Sequence, residues 1–245
     1  MDNTGCLIWS IEELLALRKN WLSKGRPELQ KLLPGRSWSA IKTKAYLLGL
    51  GVRNVVKNEK IGFFDIEIYG SNFNAPFGII ICYCLKKENG EILERAITPY
   101  ELYTKQFDKP LLQQLIKDLE QFDRIVVHYG GDRRFDVPYV RTRAVKFGLK
   151  FPEYKFQYLS DTWVILKNKF KLGSNRLGSA CGFFGIESKQ HPINYDMWQL
   201  LLTGRRRYIE KAVRYILVHC REDVASSEKL WHKIKHFTKL GKTSI

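Results

Sequence analysis

The sequence predicts a mixed α/β domain, a sheet flanked by helices, preceded by a small domain of three helices. Two observations carry this reading. The pattern changes abruptly at Lys60, from short amphipathic helices to strand-like sequence, and beyond that point three strands lead into alternating helix and strand with helices last. A chain of 245 residues, 44% hydrophobic and 13% aromatic, has material for one sizeable core and a small appended one. We therefore expect a helical domain over 1–52, a connector over 53–59 and the α/β domain over 60–245.

In the first helix Ser10 is a good N-cap, Glu12 and Glu13 suit the first turn, and Leu14, Leu15, Leu17, Trp21 and Leu22 supply an apolar face. A second helix is expected over Pro27–Leu33. Pro34 and Gly35 then make a turn, Ser37 caps a third helix with Ile41, Ala45 and Leu48 at helical spacing, and Gly49 stops it. Trp9, Trp21 and Trp38 read as core.

In the larger domain KIGFFDIEIY reads as a strand, followed by the loop GSNFNAP, a strand over Phe77–Leu85, a turn at Glu88–Gly90 and a strand over Ile92–Thr98. Hairpin links suggest an antiparallel start to the sheet. A helix over Pro110–Gln121 and a buried strand at Ile125–Val127 come next. Helices are expected over Val137–Phe147, Thr162–Phe170, Arg176–Phe184, Met197–Leu202 and Arg207 to Phe237, with a strand at Phe156–Leu159.

Lys plus Arg number 41 against 25 Asp plus Glu, a formal charge of +16, which points to a polyanionic partner, nucleic acid ahead of an anionic membrane. The most apolar run, Phe77–Leu85, is too short to span a bilayer, so no membrane insertion is expected, and nucleic acid rather than a membrane is the expected partner. No secretory or transit signal is visible in MDNTGCLIWSIEELL, which implies a cytoplasmic or nucleoid location. The cysteines Cys6, Cys82, Cys84, Cys181 and Cys220 form an odd set without a C-x-x-C pair and read as reduced thiols.

Three segments carry candidate chemistry. Asp65 and Glu67 are two apart on a strand, so both carboxylates leave one face, an arrangement that costs free energy unless a divalent cation relieves it. Flanking Phe63, Phe64, Ile66 and Ile68 argue against a solvent-facing edge. Asp136, after an apolar strand and a glycine turn, stands where an acid caps a helix, a role compatible with metal binding. His219 and Asp223 are one helical turn apart on one face, as in a surface ion pair or a metal site.

Taken together FDIE, HYGGDRRFDVPYV and HCREDV resemble, in order and setting, the three motifs of the DEDD superfamily, the proofreading-exonuclease group of ribonuclease H-like proteins. The element order is that of a ribonuclease H-like fold, and FDVPYVRTRAVKFGL resembles a branch of ribonuclease H-like nucleases of bacteria and archaea. The resemblance covers about residues 60 to 235. It implies that Asp65, Glu67, Asp136 and Asp223 hold two divalent ions, Mg²⁺ or Mn²⁺, and that His219 orients or deprotonates water. The family places a tyrosine four residues, or a histidine five, before the last acid; here a histidine stands four before it, while Tyr215 lies a further turn away. Asp161 and Asn175 resemble recurrent positions of the branch, with substrate or supporting roles, although Asp161 is as good a helix cap.

The small domain, with its W-S-x-E-E opening and G-R-S-x-x-A-I-K-x-K-A close, resembles Myb-like or SANT-like helix-turn-helix modules over about 45 residues. That resemblance makes Arg36, Ser37, Ser39, Lys42 and Lys44 candidate DNA contacts; the alternative is a small bundle with a solvated basic face. In the larger domain Arg133 and Arg134, with Arg141 and Arg143, are candidate phosphate contacts, Arg205 to Arg207 form a second basic cluster, and Tyr69 and Phe73 can stack on a base or cover the core. The expectation is a two-metal nuclease acting from the 3′ end, on DNA ahead of RNA. An endonuclease of the same fold, or a DNA-binding protein that no longer cuts, are the alternatives.

Overall fold

A computed structural model describes residues 9–21, 24, 26–50, 59–70, 74–131, 134–152, 157–187 and 189–238. Cys6, Leu22, Phe73, Arg133, Phe156 and most of the connector fall outside the described residues. The chain divides into two compact units, 1–58 and 59–245.

The first unit holds helices α1 (Ile11–Asn20), α2 (Arg26–Leu32) and α3 (Trp38–Leu47). Ser10 and Glu13 form a reciprocal capping box that satisfies orphan amides at the start of α1, and Ser37 accepts the Ala40 amide to start α3. Gly49, at φ +62°, supplies the left-handed residue that ends α3. Leu17, Trp21, Leu29, Leu33, Ile41 and Ala45 make the core, with Trp21 and Trp38 stacked at 6.1 Å. Leu15 departs from the expected apolar face. It is 60% exposed, because at 100° per residue it points well away from the Leu17 and Trp21 stripe.

The second unit is a mixed α/β sheet flanked by helices, as expected. Its strands are β1 (Ile61–Gly70), β2 (Gly78–Lys87), β3 (Ile92–Ala96), β4 (Arg124–Val127) and β5 (Tyr158–Asp161), in the spatial order β3-β2-β1-β4-β5. β1, β2 and β3 pair antiparallel, then β4 and β5 run parallel to β1. Helices α4 (Pro99–Tyr103), α5 (Lys109–Leu119), α6 (Asp136–Lys146), α7 (Thr162–Lys169), α8 (Leu177–Phe183), α9 (Tyr195–Gln199) and α10 (Arg206–Ile234) complete it. α4 replaces the end of the strand expected to reach Thr98: Thr98 and Glu101 form a second capping box, with Pro99 in the first helical position.

The alternation of β1 decides where chemistry can occur. Phe64, Ile66 and Ile68 enter the core layer shared with α5 and α6, among Leu111, Leu112, Leu115 and Val140. Phe63 enters the opposite layer, among Cys82, Cys84, Ile216, Cys220 and Val224 beneath α10, and Asp65 and Glu67 share its face. A bulge in the β1/β2 register falls between Glu67 and Ile68, at the end of the acidic pair.

Arg143 corrects the expectation of a phosphate contact. Its side chain is 2% exposed and forms a buried ion pair with Asp108, while Nη1 donates to the Ala75 carbonyl at 3.0 Å and Asp108 also accepts the Ile80 amide. Cys82, Cys84, Cys181 and Cys220 are buried free thiols. Among the described residues no helix is long and apolar enough to cross a membrane.

Candidate active site

The site forms where β1 meets α10. Asp65 lies opposite Cys84 and Glu67 opposite Cys82, so both strand carboxylates rise under the helix. Helical spacing stacks His219 and Asp223 above them. His219 Nε2 stands 3.4 Å from Glu67 Oε1 and 3.6 Å from Asp223 Oδ2. Potential ligand atoms of Glu67, His219 and Asp223 all lie within 4.8 Å of one another. Asp65 and Asp136 stand outside that tight group but within its electrostatic reach.

The imidazole is held from behind. Its Nδ1–H donates to the His191 carbonyl, so in the neutral ring the lone pair sits on Nε2, facing the acids. Trp198 packs edge-on against the ring at 5.9 Å and donates its indole N–H to the Ile68 carbonyl at 3.2 Å, tying ring support to β1. The segment carrying His191 is itself pinned: Glu222 accepts both the amide and Nδ1 of His191 at 2.8 Å, and the Tyr215 hydroxyl donates to Pro192 O at 2.8 Å. Tyr215 therefore braces this segment and does not reach the acids.

Burial dominates the electrostatics. It raises the Asp65 carboxyl from an ordinary 3.8 to about 8, with the Asp223 charge adding to it and Lys189 opposing it. Glu67 and Asp136 are likewise raised well above the usual carboxylate range, first by burial and then by neighbouring carboxylates. Asp65 Oδ2 is buried and has no hydrogen-bond partner among the described residues. An ammonium group, Lys189 Nζ, rests directly against Asp223 Oδ1. Sequence reasoning missed this lysine. It is one of 41 basic residues, and nothing in its local pattern sets it apart.

Asp136 opens α6 as its first residue, with Phe135 in the capping position, which corrects the expectation that Asp136 itself is the cap. Its carboxylate crowds Gly130, where an added Cβ would come within 2.1 Å of Oδ2, so the glycine turn exists to admit the acid. Asp161 is the N-cap of α7: it accepts Trp163 N at 2.9 Å, and it also accepts Tyr129 N and Gly131 N at 3.0 Å, so it shapes the loop that carries the acid. Asn175 keeps a buried Oδ1 without a partner, while its carbonyl meets His128 Nε2 at 3.0 Å. Tyr69 packs on the core beneath α10. Arg134 lies over aromatic rings, and Arg205 to Arg207 are exposed at the start of α10.

Of the residues expected to contact DNA in the first unit, Ser39 and Lys42 are exposed, Ser37 is occupied as a cap, and Lys44 Nζ lies 5.9 Å from the Trp9 ring. Arg36 departs from the expected role. It makes a two-pronged pair with Glu13 at 2.7 and 2.8 Å and covers Trp9 at 4.5 Å, which commits it to the fold of the unit.

Oxygen donors joined by one imidazole suit Mg²⁺ or Mn²⁺, and the unpartnered Asp65 oxygen with the raised acids around it shows that the residues fit such an ion. Residues 62–235 match the family model described as the RNase_H superfamily. The chain is 26% identical over 134 residues to "DNA polymerase 1" of Pyrococcus abyssi, covering 50% of this chain and 17% of the polymerase. A DNA polymerase of Pyrococcus horikoshii is 26% identical over 136 residues, or 50% of this chain and 11% of that protein. The chain thus spans under a fifth of the length of these curated relatives. Among solved structures, the family B DNA polymerase of Pyrobaculum calidifontis shares the fold, with a TM-score of 0.54 at 17% identity over 72% of this chain and 24% of that one.

Proposed function

Starting from the fact that the chain belongs to the RNase_H superfamily, we propose that it is a metal-dependent nuclease that hydrolyses phosphodiester bonds as a 3′-to-5′ exonuclease, with DNA as its substrate. The observation that carries the reading is the site itself. Asp65, Glu67, Asp136 and Asp223 are driven together in a buried setting where two or more negative charges are unfavourable without a cation, and His219 aims a lone pair at the same point. Divalent ions bound by the four acids would make water more acidic and stabilise charge at phosphorus. His219 Nε2 accepts the proton of the attacking water, and the His191 carbonyl holds the resulting imidazolium through Nδ1–H. The new bond joins water oxygen to phosphorus, and the P–O3′ bond breaks. The departing 3′ oxygen takes up a proton, leaving a nucleoside 5′-monophosphate and a shortened strand.

The polymerase relatives support DNA as the substrate, and the shared part is far smaller than a polymerase, as suits a nuclease module. The first unit acts in this reading as a helix-turn-helix that delivers the enzyme to duplex DNA through Ser39, Lys42 and the start of α3. A second reading, a DNA-binding protein that no longer cuts, draws on the ammonium of Lys189 seated against Asp223, where it meets part of the demand for positive charge.

The test incubates the wild type and Asp65→Asn with 5′-labelled single-stranded DNA, duplex DNA and RNA in Mg²⁺, Mn²⁺ or EDTA. A metal-dependent ladder shortening from the 3′ end, absent in the variant, is expected. Intact substrates with tight duplex binding would replace the nuclease with the second reading, and shortening of RNA alone would change the polymer.

A further inference from the structure

Beside the acids, in the loop leaving β4, Tyr129 adopts φ +63°, the left-handed region that a bulky residue rarely enters. The backbone is held there from two sides, since Asp161 accepts the Tyr129 amide and the Gly131 amide, each at 3.0 Å. Glycine fills this conformation freely and stands at the next two positions, so the choice of tyrosine at the strained one calls for a role of the side chain.

The side chain is 47% exposed and meets Trp163 edge-on at 5.2 Å. The Arg134 guanidinium lies 3.8 Å from the Trp163 ring centroid and 4.9 Å from that of Tyr129, and Lys167 Nζ is 5.2 Å from the Trp163 centroid. Among the described residues no carboxylate pairs with Arg134 or Lys167. The cluster thus offers an exposed aromatic face with two cations that have no acid partner among the described residues, one residue from Gly130 and the Asp136 carboxylate.

We propose that Tyr129, Arg134 and Trp163 form a stacking site for an unpaired base of a single-stranded nucleic acid, with Arg134 and Lys167 taking the adjoining phosphates. The inference rests on the nuclease reading for its purpose, and it assigns the strand a seat next to the acids. If the cluster served packing alone, removing the tyrosine would lower stability and leave binding untouched. The stacking site predicts the reverse.

The experiment measures, by fluorescence anisotropy in EDTA, the affinity of the full chain for a short oligothymidylate, an oligouridylate and an abasic deoxyribose-phosphate chain of equal length. The wild type should bind the base-bearing strands about 5- to 150-fold more tightly than the abasic one, the range of one aromatic stacking contact. Tyr129→Phe should keep that preference. Tyr129→Gly should lose it while melting at or above the wild-type temperature, because glycine relieves the backbone. Arg134→Met should reduce the salt slope by about 0.7 on single strands, one phosphate contact. An undiminished base preference in Tyr129→Gly, or a wild type that binds the abasic chain equally well, overturns the proposal. Since the assay needs no cleavage, a protein that stacks but does not cut would overturn only the nuclease reading, and one that cuts without base preference only the stacking site.

Discussion

Replacing Asp65 by Asn should make the metal-free protein more stable at neutral pH while abolishing its response to divalent ions. The folded protein raises this carboxyl from 3.8 to about 8, so between those values the native state holds a proton that the unfolded chain has released. Stability is therefore lost as pH rises through that window, by about 1.4 kcal/mol per pH unit for this one group, and at pH 7 the loss reaches about 4 kcal/mol. Asparagine has no proton to lose. The variant should thus show a shallower fall in stability from about pH 4 to about pH 8, and at pH 7 in EDTA should melt on the order of 10 °C higher. Glu67 and Asp136, shifted in the same direction, leave a residual slope in the variant. Thermal melts across this pH range, with EDTA or with Mn²⁺, read both effects: Mn²⁺ should raise the wild-type melting temperature at pH 7 and barely move the variant. A variant that falls with pH as steeply as the wild type, or is less stable at pH 7 in EDTA, would refute the reasoning that burial and mutual repulsion dominate this site.

Replacing His219 by Ala should lower turnover by roughly 10² to 10⁴, as single-turnover assays in saturating Mn²⁺ would show, while Mn²⁺-dependent stabilisation by the four acids persists. Lys189→Met should tighten Mn²⁺ binding several-fold in calorimetry, because the ammonium that now neutralises Asp223 competes with the ion. Arg143→Met leaves Asp108 buried without its partner and should cost about 3–5 kcal/mol in denaturant unfolding. Deleting residues 1–58 should weaken binding to duplex DNA and flatten its dependence on salt, measured by titration at several ionic strengths.

The sequence by itself determined most of the elements and the sidedness of the acids. Period-two alternation in β1 is local, so Asp65 and Glu67 could be assigned to one face before any partner was known; the i, i+4 spacing did the same for His219 and Asp223. Capping chemistry at Ser10 and Ser37 was equally legible, whereas the T-P-x-E signal that starts α4 was read as the end of a strand. What pairs with what is not local. Arg143 and Asp108 are 35 residues apart, and only the packing of α6 against the chain before α5 turns that arginine from a surface cation into a buried tie. Lys189 reaches Asp223 because the segment after α8 is fastened to α10 through His191 and Glu222. The tertiary structure also decided the strength of the site. Like charges on one strand face are tolerable in water, and it is the burial beneath α10 that raises their pKa values and creates the demand for a cation.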